Sequence, residues 1–141
     1  MSRTNMSRTN LIPIKRMDDL HTNLIGCSRD GQFMIIDYSG GCDKNKVYVV
    51  RYLFRPSGEL QNVTHSILSK DAPLDEVEGV KNTFLSELKP YQLCDIRVQL
   101  FQVQIDGINF GLVYSEETES VNLEPGPLIT FMAPWDGEYN T

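Results

Sequence analysis

The first half of the chain carries apolar and polar positions in patterns that are typical of β-strands. Residues 32–38 and 47–54 are rich in β-branched and aromatic side chains, and both faces of the second stretch are mostly apolar. The turn sequence at 55–58 separates this stretch from a less apolar one at 59–68. These patterns predict three strands, the second of them central in its sheet. Upstream, we expect residues 11–14 to lie as a loose strap and residues 20–25 to form a short strand ending at Gly26.

The spacing of apolar residues changes to a helical period after residue 70. The following residues fall on one face of an α-helix: Leu74, Val77, Val80, Phe84, Leu85 and Leu88. Asp71 is predicted to cap this helix, with Pro73 in its first turn and Pro90 as its stop. The pattern predicts a helix from about residue 74 to residue 89.

The last third returns to β-strand patterns, with a hairpin whose register follows from the side chains. Asp106-Gly107 lies between two isoleucines and is typical of a two-residue type I′ turn. Placing residue 105 opposite 108 pairs 103 with 110 and 101 with 112, so that apolar residues face apolar ones. Apolar positions switch from even to odd numbers upstream, which predicts a β-bulge near Leu100–Phe101. Residues 121–124 and 128–133 supply the last strand or two.

The element order β-β-β-α-β-β-β predicts an α+β domain, with one amphipathic helix packed on a mainly antiparallel, twisted sheet. Residues 6–10 repeat residues 1–5 exactly. We therefore expect residues 1–10 to be disordered or a duplicated start left by cloning, and residues 11–141 to form a single domain. The chain has no secretory signal pattern and no apolar run of membrane-spanning length. Its three cysteines form no Cys-x-x-Cys pair, which favours reduced thiols in a cytoplasmic protein.

Charge is distributed unevenly along the 141 residues, whose formal net charge is −6. Residues 1–16 contain four basic residues and no acidic one, whereas the chain after Arg97 contains seven acidic residues and no Lys or Arg. The acidic balance argues against nucleic acid or an anionic membrane as the main partner. A basic protein is the partner that an acidic C-terminal third would attract.

Motifs of catalysis or cofactor binding are absent from the sequence. It contains no glycine-rich nucleotide loop, no nucleophile elbow, and no pattern of cysteines and histidines that predicts zinc, so we expect no cofactor and no metal. The weak catalytic candidates are Cys42 and Cys94 as nucleophiles, with His65 as base. A buried, inert Cys94 and a surface His65 are the alternative readings.

The candidate binding residues are acidic and aromatic side chains of the C-terminal third. They are Glu116, Glu117, Glu119, Glu124, Trp135, Asp136, Glu138 and Tyr139. A solvated acidic loop is the simpler reading of the glutamates, because they lack the spacing of a calcium loop. The aromatic tail either packs back over the sheet or forms an exposed adhesive patch.

The stretch from Val121 to Thr141 contains a Pro-Gly turn and ends in Pro-Trp-Asp-Gly-Glu-Tyr-Asn-Thr. It resembles the ending of a family of small bacterial proteins, and the hairpin at 95–113 is similar to theirs. The resemblance implies a bacterial source and carries no activity.

These features favour a non-catalytic protein-interaction module with an acidic C-terminal face, of which an immunity-type inhibitor of a basic toxin is one version. The alternatives are a small enzyme that uses a Cys/His pair and a module that binds a small molecule between helix and sheet.

Overall fold

A computed structural model describes residues 11–17, 21–39, 45–125 and 129–132. Their elements in chain order are β1 Ile12–Ile14, β2 Ile25–Ser28, β3 Gly31–Ser39, β4 Lys46–Phe54, β5 Leu60–Ser69, α1 Leu74–Ser86, β6 Tyr91–Leu93, β7 Ile96–Val98, β8 Phe101–Ile105, β9 Ile108–Ser115, β10 Ser120–Glu124 and β11 Ile129–Met132. The duplicated start, residues 1–10, lies outside the described residues.

The strands form three antiparallel sheets rather than the single sheet that the sequence predicted. One sheet has the strand order β5-β4-β3-β2-β6, the second β11-β10-β9-β8, and a ribbon pairs β1 with β7. The α+β class and the antiparallel pairing are therefore confirmed. The single sheet was wrong because β4 has two apolar faces, and one helix can cover only one of them.

Two apolar layers lie on either side of the five-stranded sheet. Met34, Ile36 and Tyr38 of β3 pack with even-numbered residues of β4 against the four-stranded sheet. Phe33, Ile35 and Val49 face the opposite way, against α1. As predicted, β4 lies inside its sheet and β5 at an edge.

The hairpin of β8 and β9 has the register expected from the sequence. Ile105 pairs with Ile108, Val103 with Phe110, and the remaining pairs follow in step. Asp106 and Gly107 have φ values of 56° and 75°, as a type I′ turn requires.

The phase change near Leu100 marks a break between two strands and not a bulge within one. β7 pairs with β1, whereas β8 pairs with β9, so the chain changes sheets between them. At the break Gln99 N–H donates to the Gly58 carbonyl at 2.8 Å. An irregularity does occur elsewhere, since Leu53 pairs with Asn62 and Phe54 with Leu60.

The helix begins at Leu74 as predicted, but its N-terminal cap and its last residue differ from the prediction. It ends at Ser86, three residues early, and Pro73 stands at its N-cap without a side-chain hydrogen bond, so the Asp71 cap was wrong. Leu74 is 74% exposed, whereas Val77 and the later apolar positions pack on the sheet. With 13 residues, α1 is too short to cross a bilayer, and no other helix occurs in the described ranges.

The N-terminal predictions also need correction. Residues 12–14 are a buried strand, β1, and not a loose strap, because Ile12 and Ile14 fill the space beside Ile96 and Val98. The strand expected at residues 20–25, ending at Gly26, is observed further along the chain as β2, Ile25–Ser28. The short β6 had no sequence signal.

Candidate functional site

An open groove lies where β2 turns into β3, beside the ribbon of β1 and β7. Its volume is about 760 Å³, within the usual range for small-molecule sites. The apolar residues that line it are Leu11, Pro13, Ile14, Pro56 and Ile96. Lys15, Arg29 and Arg97 bring positive charge to the groove, and Asp95 brings one carboxylate. Cys27 also lines it, and we call this the ribbon groove.

The ribbon groove is fixed to the five-stranded sheet by one glutamine. Gln32 donates from Nε2 to the Arg97 carbonyl at 2.8 Å and accepts from the Arg97 N–H at 2.7 Å. The side-chain amide thus bonds to the backbone of β7 as a neighbouring strand would, although β3 and β7 are not paired as strands. This contact holds Arg97 at the wall of the groove.

Hydrogen bonds also hold the residues that follow β1, where Lys15 lines the groove. Thr22 Oγ1 donates to the Lys15 carbonyl at 2.9 Å, and Arg16 N–H donates to Asp95 Oδ1 at 2.8 Å. Arg16 Nε donates to the Asn23 carbonyl at 2.9 Å. The backbone around Lys15 is therefore positioned by three separate contacts.

Positive charges outnumber negative ones in the lining of the ribbon groove. Within residues 11–17, 21–39, 45–125 and 129–132, neither Lys15, Arg29 nor Arg97 forms a salt bridge. Other cations of the chain are engaged, as Lys46 is with Asp106 and Arg51 with Glu87. A chain of net charge −6 thus presents a concave surface with an excess of positive charge.

Two cysteines meet at the groove. Cys27 on β2 and Cys94, which follows β6, place their sulfurs 3.5 Å apart. Cys94 N–H donates to the Ile25 carbonyl at 3.1 Å, and a Cβ on Gly26 would overlap the Gln92 carbonyl oxygen. The close approach of β2 and β6 therefore requires glycine at position 26, and it brings the thiols together.

The environments of the two thiols differ. Cys27 is exposed and lines the groove, whereas Cys94 is half-buried. Burial raises the pKa of the Cys94 thiol, and the neighbouring Cys27 sulfur and Asp95 carboxylate raise it further. Cys94 is thereby held as a thiol at neutral pH.

The structure does not bring together the Cys94–His65 pair considered from the sequence. His65 lies on β5 and Cys94 follows β6, the two outer strands of the five-stranded sheet. Four strand spacings separate them, about 19 Å. Cys42 lies outside the described residues.

The acidic and aromatic binding candidates of the C-terminal third divide into three groups. Glu116, Glu117 and Glu119 occupy the turn between β9 and β10, and Glu124 ends β10. Trp135, Asp136, Glu138 and Tyr139 lie outside the described residues.

Asp106 belongs to the same acidic third but is neutralised by the other sheet. Its Oδ2 accepts from Lys46 Nζ at 2.7 Å and from the Tyr48 hydroxyl at 2.8 Å. These hydrogen bonds lower the pKa of the Asp106 carboxyl. The acidic face is therefore smaller than the residue count suggested.

Two buried cations, Arg51 and Lys81, link α1 with the five-stranded sheet. Arg51 donates to the Phe84 carbonyl at 2.9 Å and to Glu87 at 2.7 Å, and Lys81 contacts Asp37 and Glu78 at 3.0 Å. These contacts attach α1 to the sheet. In the part of the chain that the structure describes, no group of three His, Cys, Asp or Glu residues could hold a metal ion.

No family model, curated protein or solved structure matches the chain. The resemblance of residues 121–141 to a bacterial family therefore stays a prediction.

Sequence reasoning missed both features of the ribbon groove. Cys27 and Cys94 are 67 residues apart, and only the unpredicted strand β6 joins them. The three cations come from the residue after β1, the turn after β2, and β7, so no local run marks them. A count of charges along the chain showed a basic start but not that Lys15 lies at one groove with Arg29 and Arg97.

Proposed function

We propose that this chain is a binding module that holds a small ligand carrying carboxylates in the ribbon groove. The observation that carries the proposal is the set of three cations, Lys15, Arg29 and Arg97, around a concave surface without ion-pair partners among the described residues. Guanidinium groups suit carboxylates because they donate two parallel hydrogen bonds.

The apolar part of the groove supports a ligand with some hydrocarbon surface. Leu11 and Pro56 are exposed and line the groove together with the cations, so a ligand could bury its carbon skeleton there while its carboxylates reach the rim. Carboxylates contribute orientation in such a site, and buried apolar area contributes affinity.

The groove also supports binding because its walls are already in place. Gln32 fixes the backbone of Arg97, and Thr22 fixes that of Lys15. A site that needs little ordering loses less free energy when a ligand binds.

Calorimetry with citrate, glutarate and glutathione as probes tests this function. We expect at least one probe to bind wild-type protein, more weakly as salt is added. Arg29→Gln and Arg97→Gln should each weaken binding about tenfold, the loss of one charge-assisted hydrogen bond. The matched control is Lys70→Gln, which removes the same charge beyond β5 at the other end of the sheet.

Equal binding by wild type and by the Arg29→Gln/Arg97→Gln variant would contradict the proposal. Native mass spectrometry of freshly purified protein adds an independent measurement. A co-purified anionic molecule that is lost in the double variant would support it.

A second candidate function is the docking of a basic protein, for example a toxin inhibited in the manner of an immunity protein. The observation that favours it is the acidic turn of Glu116, Glu117 and Glu119, in a third of the chain without Lys or Arg. Glu116 and Glu117 are exposed and Glu119 is half-buried. Surface carboxylates accelerate encounter with a basic surface.

Capture of partners at increasing ionic strength tests the second function. The Glu116→Gln/Glu117→Gln/Glu119→Gln variant should lose a basic partner that wild type captures, and Asp71→Asn/Glu76→Gln should retain it. Capture that does not change between low and physiological salt would contradict acidic steering.

A further inference from the structure

The fold holds the two thiols at the groove close to each other. Their sulfurs lie 3.5 Å apart, one on β2 and one directly after β6, and ladder hydrogen bonds join these two strands. A disulfide needs about 2.05 Å between sulfurs, so closing requires a movement of about 1.5 Å. Side-chain rotation with slight strand adjustment is of this size.

We propose that Cys27 and Cys94 are a dithiol that exchanges with small disulfides carrying carboxylates. The substrate class rests on the proposed function of the ribbon groove, because its cations select the anionic group. The exchange itself rests on the sulfur geometry alone.

Exposure assigns a different role to each thiol. Cys27 lines the groove, so a disulfide bound there meets its sulfur first. The thiolate is the attacking form of a thiol in such an exchange. Cys94 is half-buried and its sulfur lies 3.5 Å from that of Cys27, which suits a resolving thiol.

The reaction proceeds in two balanced steps. The Cys27 thiol loses its proton to solvent, and its thiolate attacks one sulfur of the disulfide, so that a mixed disulfide forms and one thiolate leaves. Cys94 then loses its proton and attacks Cys27, which expels the second thiolate. The leaving thiolates take up the two protons. The dithiol is oxidised by two electrons and the small disulfide is reduced to two thiols.

The experiment compares two probes on the full chain carrying Cys42→Ser, so that only Cys27 and Cys94 can react. Oxidised glutathione bears carboxylates, whereas cystamine is a cationic disulfide of similar chemistry. Acid-quenched mass spectrometry follows loss of two hydrogens and any adduct. We expect oxidised glutathione to react at least about threefold faster at low salt, with a smaller difference at high salt.

Serine variants assign the two roles. Cys94→Ser should accumulate a stable mixed disulfide at Cys27, while Cys27→Ser should form its adduct much more slowly. Peptide mapping of the oxidised protein with intact Cys27 and Cys94 gives the same assignment without those variants, should either fail to fold. A bond between Cys27 and Cys94 that excess dithiothreitol reverses is the result expected.

Three results would overturn the exchange: thiols that stay reduced in excess probe, adducts that form without a Cys27–Cys94 bond, or a bond that resists reduction in the folded protein. Binding of S-methylglutathione to Cys27→Ser/Cys94→Ser separates the two proposals. If it binds but no exchange occurs, only the dithiol is wrong. If exchange occurs at equal rates with both probes, the carboxylate preference and the proposed function are both wrong.

Discussion

The side chain of Gln32 pairs with the backbone of Arg97 as another strand would, donating at 2.8 Å and accepting at 2.7 Å. No regular ladder connects β3 to β7, so this amide joins the five-stranded sheet to the ribbon. The same residue therefore links the large sheet to the wall of the groove.

Replacing Gln32 with alanine should destabilise the protein and loosen the groove. We expect a loss of about 1 kcal/mol, because two hydrogen bonds disappear but both are exposed, so that water can bind the Arg97 backbone groups instead. Urea unfolding gives the free energy, and Gln102→Ala on the exposed face of β8 is the control. Equal stability of the two variants would show that the amide pair contributes nothing.

Two glycines with open space around them should respond to alanine in opposite directions. A Cβ meets nothing within 4 Å at Gly79, inside α1, or at Gly107, in the hairpin turn. Gly79→Ala should stabilise the protein by about 0.5–1 kcal/mol, since alanine favours the helix. Gly107→Ala should destabilise it by about 1–2 kcal/mol, since φ is 75° there. Thermal unfolding of both variants measures the signs, and two shifts of the same sign would contradict this account.

Elements with strong local signals could be predicted from the sequence. The β8–β9 register followed from Asp106-Gly107 and from apolar pairs such as Val103 with Phe110, because a turn type and a two-residue period leave one solution. The helix followed from its spacing, although Leu74 faces solvent, since an apolar period does not say where burial begins.

Features that depend on distant segments could not be predicted. β1 pairs with β7 across more than 80 residues, and Ile12 and Ile14 gave no sign of their partner. The candidate site could not be predicted for the same reason, because Cys27 meets Cys94 only when β6 joins the edge of the sheet. Neither the charges along the chain nor its motifs indicate which distant segments pair.

The buried lysine of α1 should depend on its acidic neighbours. Burial alone lowers the pKa of Lys81, but its hydrogen bonds to Asp37 and Glu78 raise it overall. Asp37→Asn should cost about 1–2 kcal/mol, a figure reduced for the partial exposure of Asp37. Lys81→Met should be neutral within about 1 kcal/mol, and in that background Asp37→Asn should cost little. If Asp37→Asn costs as much in the Lys81→Met background as in wild type, Asp37 and Lys81 are not coupled.

The hydroxyls of Tyr38 and Tyr52 hydrogen-bond to each other at 2.8 Å between the two large sheets. Burial raises the pKa of both phenols above the ordinary value near 10, and for Tyr38 the adjacent Tyr52 adds to the rise. Both therefore stay protonated in the folded state at pH values where they ionise in the unfolded chain. Above about pH 10 the unfolded state binds fewer protons than the folded one, so stability must fall as pH rises.

Phenylalanine substitutions separate the hydrogen bond from the titration. At pH 7, Tyr52→Phe should cost about 1–3 kcal/mol, because the buried Tyr38 hydroxyl loses its partner. Tyr38→Phe/Tyr52→Phe should cost less than Tyr52→Phe, since no polar group is left unpaired. Between pH 10 and 11 the double variant should lose less stability than wild type, by up to about 1.4 kcal/mol per pH unit for each tyrosine removed. Urea titrations at pH 7, 10 and 11 provide the comparison, with Tyr91→Phe on the helix side of the sheet as control. If the double variant and wild type lose stability in parallel above pH 10, the buried pair is not the source of alkaline sensitivity.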